Sequence, residues 1–289
     1  MLKNLLLSMR PKQWSKNIVV FAGLFFAGDI FNREKIVSAV LAFALFCLIS
    51  SAGYLINDVS DRRKDALHPQ KKHRPVAAGK ISPAAVLVLA MIMIFAGVAS
   101  SFAIGRAFGL IIAFYILTSL LYSFFLKRVV IVDVMIIASG FMFRAIGGTL
   151  AIDEEVSSWL IICTIFLALF LALSKRRAEL LALGEGAAAV RETLAFYSPV
   201  FLDQMITTMT SASLMSYALY TLDPATVSKF GTRDLVFTMP FVIYGLFRYL
   251  HLVHNKQLGE APDTAILRDA PLLICIALYG LSVVLILYS

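Results

Sequence analysis

Nine apolar runs recur along this chain, at about 15–31, 36–57, 83–104, 107–126, 130–151, 157–175, 198–221, 234–254 and 267–288. Each comes close to the roughly 20 residues a helix needs to cross a hydrocarbon core. An open sheet in lipid would leave backbone groups unpaired, and the runs lack the alternation of barrel strands, so helices are expected. Hydrophobic residues make up 60% of the chain, against about 45–50% in a soluble domain. The spaces between the runs are too short to hold a separate soluble fold. The expectation is an all-α, multi-span membrane protein forming one domain over residues 1–289. Met1 to Asn17 is basic, but no small-residue cleavage site follows the first run, so no cleavable signal peptide is expected. Cys47, Cys163 and Cys275 fall in separate runs, which suits small buried packing groups and neither a disulfide framework nor a zinc site.

The charge is unevenly placed. The net charge is +8, from 26 lysines and arginines against 18 acids. With the N-terminus on the cytoplasmic side, 20 of these bases fall on that side and five (Arg33, Lys35, Arg106, Lys229 and Arg233) on the other. The remaining base, Arg144, lies deep inside a span. Such a bias predicts an inner (plasma) membrane protein with a cytoplasmic N-terminus and a C-terminus on the outer side. Bases clustered beside apolar runs point to lipid headgroups and phosphorylated substrates and away from nucleic acid.

One stretch, "LINDVSDRRKDALHPQKKHRP" at residues 55–75, concentrates acids and then bases at the end of the second run. Asn57, Asp61 and Asp65 are spaced i, i+4, i+8, and Asp58 precedes Asp61 by three, so on a continuing helix the four share a face. Carboxylates held that close repel one another unless a cation joins them. Hard oxygen donors suit Mg²⁺, which takes one or two protein carboxylates and completes its shell with phosphate oxygens. An EF-hand does not fit, because Lys64 stands where its loop glycine would fall and the spacing is wrong. His68-Pro69 is expected to end the helix. Lys71, Lys72 and Arg74 follow and could clamp phosphate.

"NDVSDRRKD" resembles the N-D-x-x-D-x-x-x-D signature of the UbiA superfamily of intramembrane prenyltransferases, and the number of spans and the placement of the charged loops are similar over essentially the whole chain. The resemblance implies nine transmembrane helices in a UbiA-type bundle, with a central cavity open to the cytoplasmic side and Mg²⁺-diphosphate bound by Asn57, Asp58, Asp61 and Asp65. The family's second acidic motif is replaced here by "SKRRAE", in which Lys175, Arg176 and Glu179 stand in the sixth-to-seventh connection. Three further motifs resemble the decaprenyl-phosphate phosphoribosyltransferase branch of the superfamily. They are "RPKQW-x-KN" (Arg10 to Asn17), "HP-x-K-x-x-RP-x-AAG" (His68 to Gly79) and "K-R-x-A-E" (Lys175 to Glu179).

That resemblance implies a Mg²⁺-dependent membrane enzyme. It would move 5-phosphoribosyl from phosphoribosyl diphosphate to a polyprenyl phosphate, supplying a sugar donor for the cell envelope. Asp58, Asp61 and Asp65 are the expected catalytic carboxylates. Lys16, Asn17, Asn57, Lys72, Arg74, Arg144, Lys175, Arg176 and Glu179 are the expected substrate contacts, with Lys16 and Asn17 at the mouth of the site. The expected partners are the two phosphorylated substrates and the bilayer, and a homo-oligomer is allowed. The alternative within the same fold is transfer of a prenyl group from a prenyl diphosphate to an aromatic or lipophilic acceptor, which the missing second aspartate motif disfavours. A transporter would call for charge in both halves of the membrane, and the outer loops are poor in bases. Asp133 and Arg144 lie in the fifth run, where an ionisable residue is functional by default, although a structural pairing is open to both. Gly140, Gly147 and Gly148 suit close helix packing. His251 and His254 are read as an interfacial polar face.

Overall fold

The computed structural model describes residues 2–28, 30–67, 71–186, 191–255 and 268–288. The regular elements among those residues are all helices, with no strand. His68 and Pro69, expected to end a helix, and Lys256, one of the cytoplasmic bases, lie outside them. Seven of the described helices are long and apolar enough to cross a membrane: Arg33–Ser60, Pro83–Ile104, Arg106–Phe124, Val132–Ala151, Ser158–Leu183, Asp234–His254 and Ala270–Tyr288. The chain packs as two compact units, Met1–Val156 and Ser157–Ser289.

The first unit opens with α1 (Leu2–Ser8), a 3₁₀ segment (Pro11–Phe21) and the short α2 (Ala22–Phe25). The run at 15–31 is therefore not one α-helix. Eleven residues at about 2.0 Å each extend the 3₁₀ segment to about 22 Å, long for a geometry that seldom exceeds four residues. Its three-residue period stacks Trp14, Asn17 and Val20 on one side. Trp14 Nε1 donates to Ser51 Oγ at 3.0 Å, and Val20 is fully buried. A Cβ on Gly148 would run into the Val20 carbonyl, and one on Gly147 would stand 2.8 Å from the Phe46 ring. The paired glycines thus let the 3₁₀ segment and α3 (Arg33–Ser60) close onto α7 (Val132–Ala151), as the sequence led one to expect.

α3 (Arg33–Ser60) runs through this unit for 28 residues. It starts at Asn32, whose side chain accepts from the N–H groups of Glu34 (3.0 Å) and Lys35 (3.3 Å), which satisfies two of the donors that a helix start leaves open. Phe46 at its centre meets Phe108 and Tyr115 edge to face, with centroids 6.0 and 5.6 Å away. Beyond α4 (Arg62–Leu67), the basic stretch from Lys71 onward is anchored by Val76 and Ile81, both buried against Ala52, Leu55 and Ile56. α5 (Pro83–Ile104) and α6 (Arg106–Phe124) follow. On α5 the exposed residues are apolar except Ser100 near its end, with Phe95 at 79%, as lipid contact demands.

The second unit holds α8 (Ser158–Leu183), α9 (Pro199–Leu222), α10 (Pro224–Phe230), α11 (Met239–Asn255) and α12 (Ala270–Tyr288). α9 corresponds to the predicted run at 198–221 but is not among the seven apolar helices, because it carries Asp203, Gln204 and many hydroxyls. Its buried stripe, Leu202, Ile206, Thr210, Ser213 and Tyr217, follows the helical period. Thr210 and Ser213 return their hydroxyls to the carbonyls of Ile206 (2.8 Å) and Met209 (2.7 Å), so burying them leaves no orphan donor. Cys47 and Cys275 are buried and all three cysteines are free.

Two glycines test this packing in opposite senses. Gly148→Ala should destabilise the protein by about 1–3 kcal/mol through overpacking, whereas Gly280→Ala on α12, where an added Cβ meets nothing within 4 Å, should be neutral or stabilising by helix propensity. Thermal melting of both variants in the same detergent reads the difference, and equal melting points would contradict the close approach at Gly148.

Candidate active site

In the first unit the acidic stripe lies where α3 gives way to α4. The helix is interrupted at Asp61, yet Asp61 N–H donates to the Asn57 carbonyl (2.9 Å) and Asp65 N–H to that of Asp61 (2.8 Å). Helical spacing therefore carries through the turn. Three bases from three other parts of the chain reach these carboxylates. Arg10, just before the 3₁₀ segment, pairs with Asp58 and lies over the Tyr54 ring at 4.9 Å. Arg74 Nη1 reaches Asp65 Oδ2 at 2.6 Å and Asp58 Oδ1 at 3.3 Å. Lys127, in the 3₁₀ turn Leu126–Arg128, meets Asp61 Oδ1 at 2.5 Å.

Asp58 and Asp65 thus share one arginine, while Asp61 turns to a lysine. Among the described residues no three His, Cys, Asp or Glu side chains form a ready-made metal cage. The expected magnesium is tested by the donors themselves. Asn57 Oδ1 is buried without a hydrogen-bond partner, an uncommon and costly state for a polar atom. Asn57 and the carboxylates along the same stripe offer only oxygen donors, which suits a hard cation that takes few protein ligands and fills its shell from phosphate. The residues fit the ion.

Lys72 is exposed and Lys16 half-buried. Asn17, by contrast, is fully buried instead of standing at an open mouth. Its Nδ2 donates to Cys47 Sγ (3.2 Å) and Ser50 Oγ (3.3 Å), and its Oδ1 accepts from Arg144 Nε at 2.6 Å. Arg144 also donates to Tyr115 OH at 2.7 Å and lies over the Tyr115 and Phe141 rings. A guanidinium inside the bundle is thus held by neutral oxygens and ring faces. Asp133, on the same helix, is fully buried in its first turn, where an acid favours the helix dipole.

In the second unit, Lys175 to Glu179 lie within α8 and not in a connecting loop. The leucines and alanines after them are strong helix formers, and the helix continues to Leu183, where Gly184 turns out at φ 51°. Arg176 is buried and pairs with Glu179 at 2.8 Å, while Lys175 stands 4.0 Å from the same carboxylate. Two further residues join this region that the sequence did not mark as functional. Arg191 lies 3.8 Å from Glu179, and Asp203 on α9 takes Arg177 at 2.5 Å and His254 Nε2 at 3.3 Å. An aspartate within a predicted span was the available signal for Asp203. Nothing in the spacing marked Arg191 or Lys127.

Known proteins share this sequence and fold. The UbiA prenyltransferase family matches residues 17–268. Decaprenyl-phosphate phosphoribosyltransferase of Corynebacterium glutamicum is 35% identical over 97% of this chain and 86% of its own length. The enzyme of the same name from Mycolicibacterium smegmatis is 32% identical over 93% and 87%. A UbiA homolog from Archaeoglobus fulgidus bound to DMAPP and Mg²⁺ superposes with a TM-score of 0.75 at 19% identity, over 97% of this chain and 99% of that one. With its motifs, the matched length and these relatives taken together, the chain belongs to the UbiA prenyltransferase family, in the branch of the decaprenyl-phosphate phosphoribosyltransferases.

Proposed function

We propose that this protein transfers 5-phosphoribosyl from phosphoribosyl diphosphate to a decaprenyl-like polyprenyl phosphate, releasing diphosphate. The observation that carries this reading is the basic character of the second motif. Lys175, Arg176 and Arg191 surround Glu179 where an enzyme using a second metal site would need acids. Direct cationic contacts suit a phosphate monoester, while a diphosphate is better met through a metal. The names of the 32–35% identical relatives support the same substrates.

The chemistry asks little of a general base. A phosphate monoester is already largely ionised near neutral pH. One of its oxygens attacks ribose C1 from the face opposite the diphosphate. As the new C1–O bond forms, the old one breaks and its electron pair leaves with diphosphate, with inversion at C1. Asn57, Asp58, Asp61 and Asp65 would hold magnesium, which when bound neutralises charge on the leaving diphosphate. Lys16, Lys72 and Arg74 supply cations for the donor's phosphates. Asn17 fixes the guanidinium of Arg144, which adds positive potential within the first unit. Lys175 and Arg176 hold the acceptor's phosphate, and Glu179 orients them. Most of the rate gain comes from bringing together two polyanions that otherwise repel, and from stabilising the departing charge.

The topology belongs to the same proposal. Residues 1–289 form one catalytic domain of the inner (plasma) membrane. The 3₁₀ segment with α2, and the more polar α9, cross the bilayer along with the seven apolar helices, making nine spans. The N-terminus is cytoplasmic and the C-terminus lies outside, as the 20-to-5 distribution of bases favours.

Membranes given radiolabelled phosphoribosyl diphosphate and polyprenyl phosphate should move label into the organic phase when Mg²⁺ is present. Asp61→Asn should lower this transfer about 10²-fold or more while the variant still folds, its melting point lowered only slightly by the loss of the Lys127 pair. Label arriving only from a prenyl diphosphate, or near-normal transfer by the variant, would contradict the proposal.

A further inference from the structure

We infer that Arg10 changes partner when the donor arrives. In the empty site it neutralises Asp58 and so opposes a lone divalent ion; in the loaded site it grips the donor's phosphates. The inference rests on the reading of the stripe from Asn57 to Asp65 as a metal-diphosphate site, and it gives a task to a residue that this reading leaves without one. Asp58, Asp61 and Asp65 face Arg10, Arg74 and Lys127, so charge within these pairs is already balanced. Asp58 is the most buried of the acids, its side chain 2% accessible against 6% for Asp65 and 22% for Asp61. It also takes two arginines, Arg10 in close contact and Arg74 at 3.3 Å. An ion entering alone must take Asp58 from Arg10 and leave that guanidinium without its acid, which is costly for a buried pair. An ion that enters with a diphosphate brings the replacement anion, and a guanidinium fork matches phosphate oxygens as well as it matches a carboxylate. Metal and donor then bind cooperatively, each strengthening the other by the same factor.

The local structure suits a side chain that turns on a fixed root. Arg10 has a left-handed backbone, with φ 53°, a conformation that costs energy in a residue with a Cβ and persists only where its surroundings hold it. The chain is held on both sides. The Met9 carbonyl accepts from Ser51 Oγ at 3.0 Å. Arg10 N–H donates to the Leu7 carbonyl at 3.2 Å, and the Arg10 carbonyl accepts from Gln13 N–H at 2.8 Å. The side chain itself is 23% accessible and lies over the Tyr54 ring, 4.9 Å from its centroid. A ring face attracts a cation without fixing the direction of its hydrogen bonds, so the guanidinium can exchange acid for phosphate and keep this seat. Arg74 bridges Asp58 and Asp65, and Lys127 meets the more open Asp61. Losing Arg10 therefore leaves the remaining pairs in place and frees the acid buried deepest.

The test is equilibrium dialysis of the full chain in phosphatidylcholine nanodiscs, with no acceptor present and empty nanodiscs as the blank. Mn²⁺ is the probe for the ion, alone and with phosphoribosyl diphosphate, and labelled phosphoribosyl diphosphate is the probe for the donor at saturating Mn²⁺. The wild type should hold Mn²⁺ weakly alone and about tenfold or more tightly with the donor. Arg10→Ala should bind Mn²⁺ alone about tenfold better than the wild type and the donor about tenfold worse. General damage to the site would weaken both. Arg10→Lys keeps the charge and loses the fork, so lone Mn²⁺ should stay weak while the donor weakens. Melting points in the same nanodiscs verify folding, and Arg10→Lys carries the test if the alanine variant does not fold. Unchanged Mn²⁺ affinity in Arg10→Ala, losses of both ligands together, wild-type donor affinity in either variant, or Mn²⁺ held by the wild type as tightly alone as with the donor would each overturn the inference and leave the metal-diphosphate reading standing. A wild type that holds Mn²⁺ in neither condition would overturn that reading and the inference with it.

Discussion

Three carboxylates at the end of a 28-residue apolar helix can coexist at the edge of a bilayer only if cations come to them, and in this chain each cation comes from a different element. Arg10 ties down the start of the chain, Arg74 the basic connection after α4, and Lys127 the turn between α6 and α7. The acidic stripe is therefore an organising centre of the first unit as well as a candidate site. Because it gathers the segments that carry Lys16, Lys72 and Arg74, it would bring further bases toward the polyanion of the proposed reaction.

The second unit solves the mirror problem. Its bases are collected around Glu179 and Asp203, two carboxylates on neighbouring helices. One unit offers oxygen donors that suit a metal-bound diphosphate, and the other offers nitrogen donors that suit a bare phosphate. On the proposed reading, that division of labour would separate a phosphoribosyl transfer to a lipid phosphate from prenyl transfer between two acid-rich motifs. It follows from replacing a single short acidic motif by Lys175, Arg176 and Glu179.

Much of this was legible in the sequence where a period or a spacing carried the information. The i, i+4, i+8 acids survive the turn at Asp61 because backbone hydrogen bonds continue through it. Gly147 and Gly148 mark a close approach, and the apolar lengths mark the spans. Mean hydropathy cannot distinguish a 3₁₀ segment from an α-helix, since an apolar run is compatible with either period, so the run at 15–31 was read as one helix. It also stops at the first charge, whereas helix propensity carries α8 eight residues beyond Lys175, to Leu183. Asn17 was placed at a mouth because of the lysine beside it, yet the three-residue period turns it inward to Arg144. Contacts between distant elements, such as Lys127 with Asp61 or Arg191 with Glu179, leave no trace in local spacing.

The central claim is that the stripe from Asn57 to Asp65 binds the donor through a divalent ion, and calorimetric titration of phosphoribosyl diphosphate into the full chain with and without Mg²⁺ tests it most directly. The account predicts strong binding only with the metal, lost in Asn57→Ala and in Asp65→Asn and retained in Arg233→Ala. Equal affinity after chelation, or unchanged affinity in the stripe variants, would contradict it.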